Sequence, residues 1–196
     1  MELLIATTNP GKVREYRALF TGLHCILLGL TDLGITQDVA ETGSSYAENA
    51  ALKAREYGAL SGRLTLADDS GLEVDALAGR PGVYSARYAP DSPARIQKLL
   101  NELRDVATEQ RTARFQCVIA LAEPDGRLTL AAGTCEGRIA LEARGANGFG
   151  FDPVFYLPEY QATLAELPAE VKNSISHRAR AAQRLRPILA GILDGS

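Results

Sequence analysis

A chain of 196 residues, 46% hydrophobic and 23% charged, has the size and make-up of one soluble globular α/β domain with a real core. Its net charge of −3 argues against a duplex nucleic-acid binder, which carries a basic surplus. No apolar run approaches the roughly 20 residues of a membrane span, and Met1-Glu2 opens no signal peptide.

Cys25, Cys117 and Cys135 are odd in number, far apart and set in apolar runs. They read as small buried hydrophobes in a reducing cytosol, not as zinc ligands or a disulfide.

In chain order, Leu3–Thr7 is an apolar, β-prone run that predicts a first strand. Asn9-Pro10-Gly11 is turn chemistry, and Lys12–Phe20 has helical spacing at Val13, Tyr16, Leu19 and Phe20. His24–Leu28 predicts a second strand, with His24 structural within it. Ser45-Tyr46-Ala47-Glu48 has capping-box form and opens a helix to about Tyr57. Leu64–Ala67 and Leu72–Val74 are extended segments around Asp68-Asp69-Ser70-Gly71. Ala78–Ala89 is a loop of organised composition, and Ser92-Pro93 starts a helix to about Arg104, with Ser92 as its N-cap.

Arg114–Ala122 and Leu128–Thr134 predict strands joined by a hairpin at Glu123-Pro124-Asp125-Gly126. Ser176–Leu193 predicts an amphipathic helix interrupted or kinked near Pro187. Alternating strands and helices followed by an antiparallel pair imply a mixed central sheet flanked by helices, with two lobes around a cleft. No repeat or linker divides the chain, so residues 1–196 read as a single domain.

Four places carry chemistry. Thr7-Thr8-Asn9-Pro10-Gly11-Lys12 lies at a strand-to-helix junction, where helix N–H groups, hydroxyls and the Lys12 ammonium suit phosphate. The glycine spacing of a Walker A loop is absent, and taken alone Asn-Pro-Gly is also an ordinary turn. Asp68-Asp69 interrupts an apolar stretch, which is unfavourable unless something binds the acids. A hard divalent cation explains them, as does a strand-end turn with two solvated acids.

Glu41-Thr42-Gly43 offers a further oxygen ligand, and Glu15 a carboxylate one helical turn beyond the first loop. Glu48, Asn49, Lys53 and Arg55 read as helix-surface or capping residues, with Lys53 toward phosphate a weaker alternative. Phe149-Gly150-Phe151-Asp152, Lys172-Asn173 and Ser176-His177-Arg178 gather aromatic faces, a carboxylate and cationic groups suited to a flat ligand with hydrogen-bonding edges, such as a nucleobase.

These blocks, in this order and with Glu41-Thr42-Gly43 and Pro81-Gly82-Val83-Tyr84-Ser85-Ala86-Arg87 between them, resemble the inosine triphosphate pyrophosphatase family over nearly the whole chain. The resemblance implies a cytoplasmic, homodimeric, house-cleaning hydrolase. Its reaction would be the Mg²⁺-dependent conversion of the deaminated purine triphosphates ITP, dITP and XTP to monophosphate and pyrophosphate. It implies Asp69 as general base with a metal role, and Glu41, with Asp68 or Glu15, as further metal ligands. Substrate would be held by Thr7, Thr8, Asn9, Pro10, Gly11, Lys12 and Ser70, and by Phe149, Gly150, Phe151, Asp152, Lys172, His177 and Arg178, the last two at the base.

No nucleic-acid or membrane partner is implied. Two competing readings are a pyrophosphatase for modified pyrimidine nucleotides, similar to the Maf-like family, and a nucleotide sensor without turnover.

Overall fold

The computed structural model describes residues 1–195. β1 (Glu2–Ile5) leads through α1 (Pro10–Leu19) to β2 (Ile26–Gly29), then to α2 (Tyr46–Ser61) and β3 (Leu64–Val74). α3 (Ser92–Glu102) precedes β4 (Thr112–Ala122) and β5 (Leu128–Ile139). The short strands β6 (Phe155–Leu157) and β7 (Ala162–Thr163) are followed by α4 (Ala169–Ile175) and α5 (His177–Asp194).

The strands form a seven-stranded sheet in the order β2-β1-β3-β4-β5-β6-β7. β1 runs parallel to β2 and β3, whereas β6 is antiparallel to β5 and β7. The mixed sheet with flanking helices is therefore the one expected. Among the described residues no helix is long and apolar enough to cross a membrane.

The chain resolves into two compact units. One comprises residues 1–69, 117–133 and 178 onward; the other comprises 70–116 and 134–177. In the first unit the two-residue period of the strands sorts side chains into two layers. Leu3, Ile5, Leu66 and Ile119 pack with Tyr16 and Phe20 of α1 and with Ala182, Leu185 and Leu189 of α5. Leu4, Ala6, Ala67 and Ala120 pack with Ala50, Ala54 and Tyr57 of α2. β1 is thus covered on both faces, which is why its run is continuously apolar and not alternating.

In the second unit Leu72, Val74, Phe115, Ile139, Phe151 and Phe155 pack with Leu99 of α3 and with Leu103 just after it. The Phe115 and Phe155 rings lie 4.5 Å apart.

Several local expectations change. Asp68-Asp69-Ser70-Gly71 is no turn: β3 passes through it as one strand of 11 residues, because buried partners satisfy the acids, as described below. α3 is capped by Asp91, whose carboxylate accepts from Ala94 N at 2.8 Å, so the cap sits one residue earlier than expected. His24 occupies an exposed turn ahead of β2, not the strand itself. α5 is not interrupted at Pro187: it runs on to Asp194, with Leu185 and Leu189 in the core on either side of the proline. The hairpin turn is as expected, closed by Gly126 N donating to Glu123 O at 2.9 Å.

Arg111 is buried in the second unit, and its guanidinium donates to the carbonyls of Leu103 (2.7 Å), Val106 (3.0 Å) and Ala140 (3.3 Å). These bonds tie two carbonyls just beyond the end of α3 to the one that follows β5. Arg111→Met keeps the stem and removes all three of these hydrogen bonds from a buried site; it should lower stability by about 3 kcal/mol, read from urea denaturation midpoints at unchanged slope.

Candidate active site

In the first unit, successive β3 residues project to opposite faces, and this sends the two acids to different partners. Asp68 is fully buried. Its Oδ1 lies 3.0 Å from Lys12 Nζ, and its Oδ2 accepts from Arg178 Nε (3.3 Å) and Nη2 (3.2 Å) and from the Cys117 thiol (3.7 Å). Arg178 Nη1 also donates to Glu15 at 2.5 Å. Burial alone would raise the Asp68 pKa, but the charges of Lys12, Arg178 and Lys53 overcome it and hold the carboxyl well below the usual range. Burial and the neighbouring Asp68 charge push the Cys117 thiol up to about 12, so it stays a neutral donor and not a nucleophile.

Asp69 meets a different environment. Its Oδ2 accepts from Asn49 Nδ2 at 2.9 Å. Burial raises its pKa, the proximity of Glu41 adds to this, and Lys53 and the Asn49 bond oppose it without prevailing. Asn49 is fully buried on the α2 stripe formed by Ala50, Ala54 and Tyr57, and its Oδ1 accepts from Gly43 N at 2.8 Å. Lys53, one turn further along α2, pairs with Glu41. Glu48 closes the start of the helix by accepting from Ser44 N and Oγ.

The loop between β1 and α1 is organised by Asn9. Asn9 caps α1, with its Oδ1 accepting from Gly11 N (2.8 Å) and Lys12 N (3.3 Å), and Thr7 Oγ1 accepts from Asn9 N at 3.2 Å. Two N–H groups expected to face phosphate are therefore already bonded to Asn9, while the same amide retains its Nδ2 donor. Thr8 and Pro10 are exposed, and Gly11 is buried.

In the second unit Asp152 accepts at one oxygen from Phe149 N (2.8 Å) and from Lys172 Nζ (2.5 Å). Lys172 Nζ also stands 4.7 Å from the centre of the half-buried Phe149 ring. Gly148, at φ +75°, admits this approach: a Cβ there would collide with Asp152 Oδ2. His177 is buried and stacks on Phe115 with ring centres 4.6 Å apart. Ser70 and Gly150 are half-buried. Ser85, in the Pro81–Arg87 block, accepts from Leu72 N at 2.8 Å and so ties that block to β3.

Three expected site residues have partners within the chain. Phe151 is 4% exposed and packs in the core of the second unit. Asp68, expected at the metal, pairs with Lys12 and Arg178. Arg178, expected at the base, is 1% exposed and directs its guanidinium at Asp68 and Glu15.

Asn49, read as a surface or capping residue, proves to be a buried partner of Asp69. The signal was present in its position, a polar residue on an otherwise apolar helix stripe. Among the described residues no three histidine, cysteine or acidic side chains gather as a ready-made metal cage. The hard oxygens of Asp69 and Glu41 nonetheless fit Mg²⁺, which takes one or two carboxylates and completes its shell with water and phosphate oxygens.

Comparison with known proteins accords with this geometry. A family model described as the Ham1 family matches residues 3–188. A protein of Geobacillus kaustophilus named dITP/XTP pyrophosphatase is 54% identical over 94% of this chain and 92% of its own length. One of the same name from Shouchella clausii is 48% identical over 97% and 98%. The solved structure of a HAM1 protein from Coxiella burnetii superimposes with a TM-score of 0.87 at 42% identity, covering 96% of this chain and 98% of that one.

The partners of Asp68 fix the sign of a pH effect. Its folded pKa is depressed, so its contribution is present above about pH 4 and is lost as pH falls through the folded value. Asp68→Asn, which removes the buried carboxylate charge beside Lys12 and Arg178, should be less stable than the parent by about 3 kcal/mol at neutral pH. Urea titrations between about pH 5 and 3 should show that gap narrowing, and a gap constant with pH would refute the assignment.

Proposed function

The chain belongs to the Ham1 family, and on that premise we propose that it hydrolyses dITP, ITP and XTP to the nucleoside monophosphate and pyrophosphate with Mg²⁺. The observation that carries the reading is the separation of the adjacent acids. Asp68 is neutralised by Lys12 and Arg178, while Asp69, bonded to the neutral Asn49 amide, is left the more basic of the two. Paired carboxylates whose environments pull their pKa values apart are the arrangement by which one serves as proton acceptor beside a fixed charge.

Asp69 is then the base that takes the proton of the attacking water, and Lys12 and Lys53 supply positive charge toward the phosphoryl oxygens. When bound, Mg²⁺ held by Asp69 and Glu41 would add charge against those oxygens.

The groups suited to the base are those of the second unit. Phe149 offers a stacking face, with its backbone pinned to Asp152, and Lys172 offers a donor. A 6-oxo group accepts from Lys172 or His177, whereas the 6-amino group of adenine would face donors with its own donor. Each unpaired buried group costs about 1–3 kcal/mol, which favours hypoxanthine and xanthine over adenine.

The reading includes a cytoplasmic location and a homodimer, for which the exposed Tyr84 is a candidate contact.

The test is pyrophosphate release with Mg²⁺ from dITP, XTP, GTP, ATP and TTP, side by side. Strong turnover of the first two and little of the rest is expected; silence on all five would overturn the proposal. Asp69→Asn should lower kcat by about a thousandfold or more while still binding substrate. Phe149→Ala should raise KM for dITP about tenfold through lost stacking, measured in the same assay.

A further inference from the structure

We propose that Asn49 is a positioning residue for the reaction: its single amide fixes the Asp69 carboxylate relative to the loop that carries Glu41. This rests on the assignment of Asp69 as base. Asn49 is 0% exposed and shares its buried side of α2 with Ala50, Ala54 and Tyr57. A primary amide in such a place is unfavourable unless both its ends are bonded, and both are. Gly43 N donates to its Oδ1 at 2.8 Å, and its Nδ2 donates to Asp69 Oδ2 at 2.9 Å.

The orientation of the amide is dictated chemically. A backbone N–H can only donate, so the amide oxygen must face Gly43 and the amide nitrogen must face Asp69. The reversed amide would set N–H against N–H and oxygen against a carboxylate.

Close packing removes the remaining slack. A Cβ on Gly43 would lie 2.8 Å from Asn49 Oδ1 and 2.7 Å from Glu48 Cβ, so the loop backbone is pressed directly onto the amide. Glu41 lies two residues before Gly43, and Lys53, four residues after Asn49 on α2, pairs with it. α2 therefore grips the Glu41 loop at two points, and at Asn49 it also reaches β3. A neutral donor is suited to this task, because it orients a carboxylate without adding the full positive charge that would suppress its basicity.

The experiment compares Asn49→Asp, Asp69→Asn and the two together. Asn49→Asp is nearly isosteric and keeps the acceptor for Gly43 N, but sets an acceptor against Asp69. It should lower kcat for dITP about a hundredfold, with KM within about twofold, because misplacing a reacting group impairs the transition state more than ground-state binding. With Asp69 intact it should also lower the melting temperature by several degrees.

When Asn49→Asp is combined with Asp69→Asn, the donor and acceptor are merely exchanged. Relative to Asp69→Asn alone, the added substitution should be close to neutral in stability while turnover stays absent. Near-parental kcat in Asn49→Asp overturns the proposal, and so does an equal loss of melting temperature in both backgrounds. If Asn49→Asp does not fold, the exchanged pair decides: a folded double variant supports the bridge, and an unfolded one overturns it. Failure of the parent enzyme to release pyrophosphate from dITP would instead strike the functional reading, and the stability comparison still judges the bridge.

Discussion

Placing two carboxylates next to each other inside a strand whose faces are both packed is the constraint around which the first unit is built. Neither Asp68 nor Asp69 can be left to water, and both charges on one face would repel at close range in a medium of low polarisability. The pleat of β3 separates them. One face receives Asp68 and provides two cations, Lys12 from the start of α1 and Arg178 from the start of α5. The other receives Asp69 and provides the Asn49 amide, with Lys53 nearby on α2. The helices that cover the sheet thus also distribute charge to it, and a buried acid pair becomes one neutralised group and one basic group.

The second unit meets a similar difficulty. Asp152 is 3% exposed and accepts from the Lys172 ammonium and from the Phe149 N–H. The N–H belongs to Phe149, so satisfying the buried charge also fixes the loop that presents the ring. Lys172 joins the pair and lies over the same ring. Electrostatic compensation and the placing of an aromatic surface are here one event, and only a glycine at position 148 leaves room for it.

Asn9 and Asn49 show how the same side chain can organise rather than react. Asn9 uses its oxygen to cap α1, which sets the direction of the helix that delivers Lys12. Asn49 uses both ends of its amide, one on a loop and one on a strand. The kinship with proteins named dITP/XTP pyrophosphatase extends over nearly the whole chain.

Local chemistry was legible in the sequence. The apolar run of β1, the Asn-Pro-Gly start of α1, the Ser45 cap of α2 and the hairpin after β4 each follow from residues a few positions apart, and the motif order named the family. The short β6 and β7 escaped, since two or three residues display no period. Partnership was not legible either. Arg178 lies 110 positions from Asp68, and nothing local distinguishes a guanidinium reaching for a ligand from one serving a buried acid. Asn49 follows a capping motif and so looked like more of the same. Sequence thus determined most of the longer elements and which reactive groups the chain possesses, because those depend on neighbouring residues. Tertiary structure alone decided which acid is neutralised, which stays basic and what holds it in place, because those depend on charges brought together from distant parts of the chain.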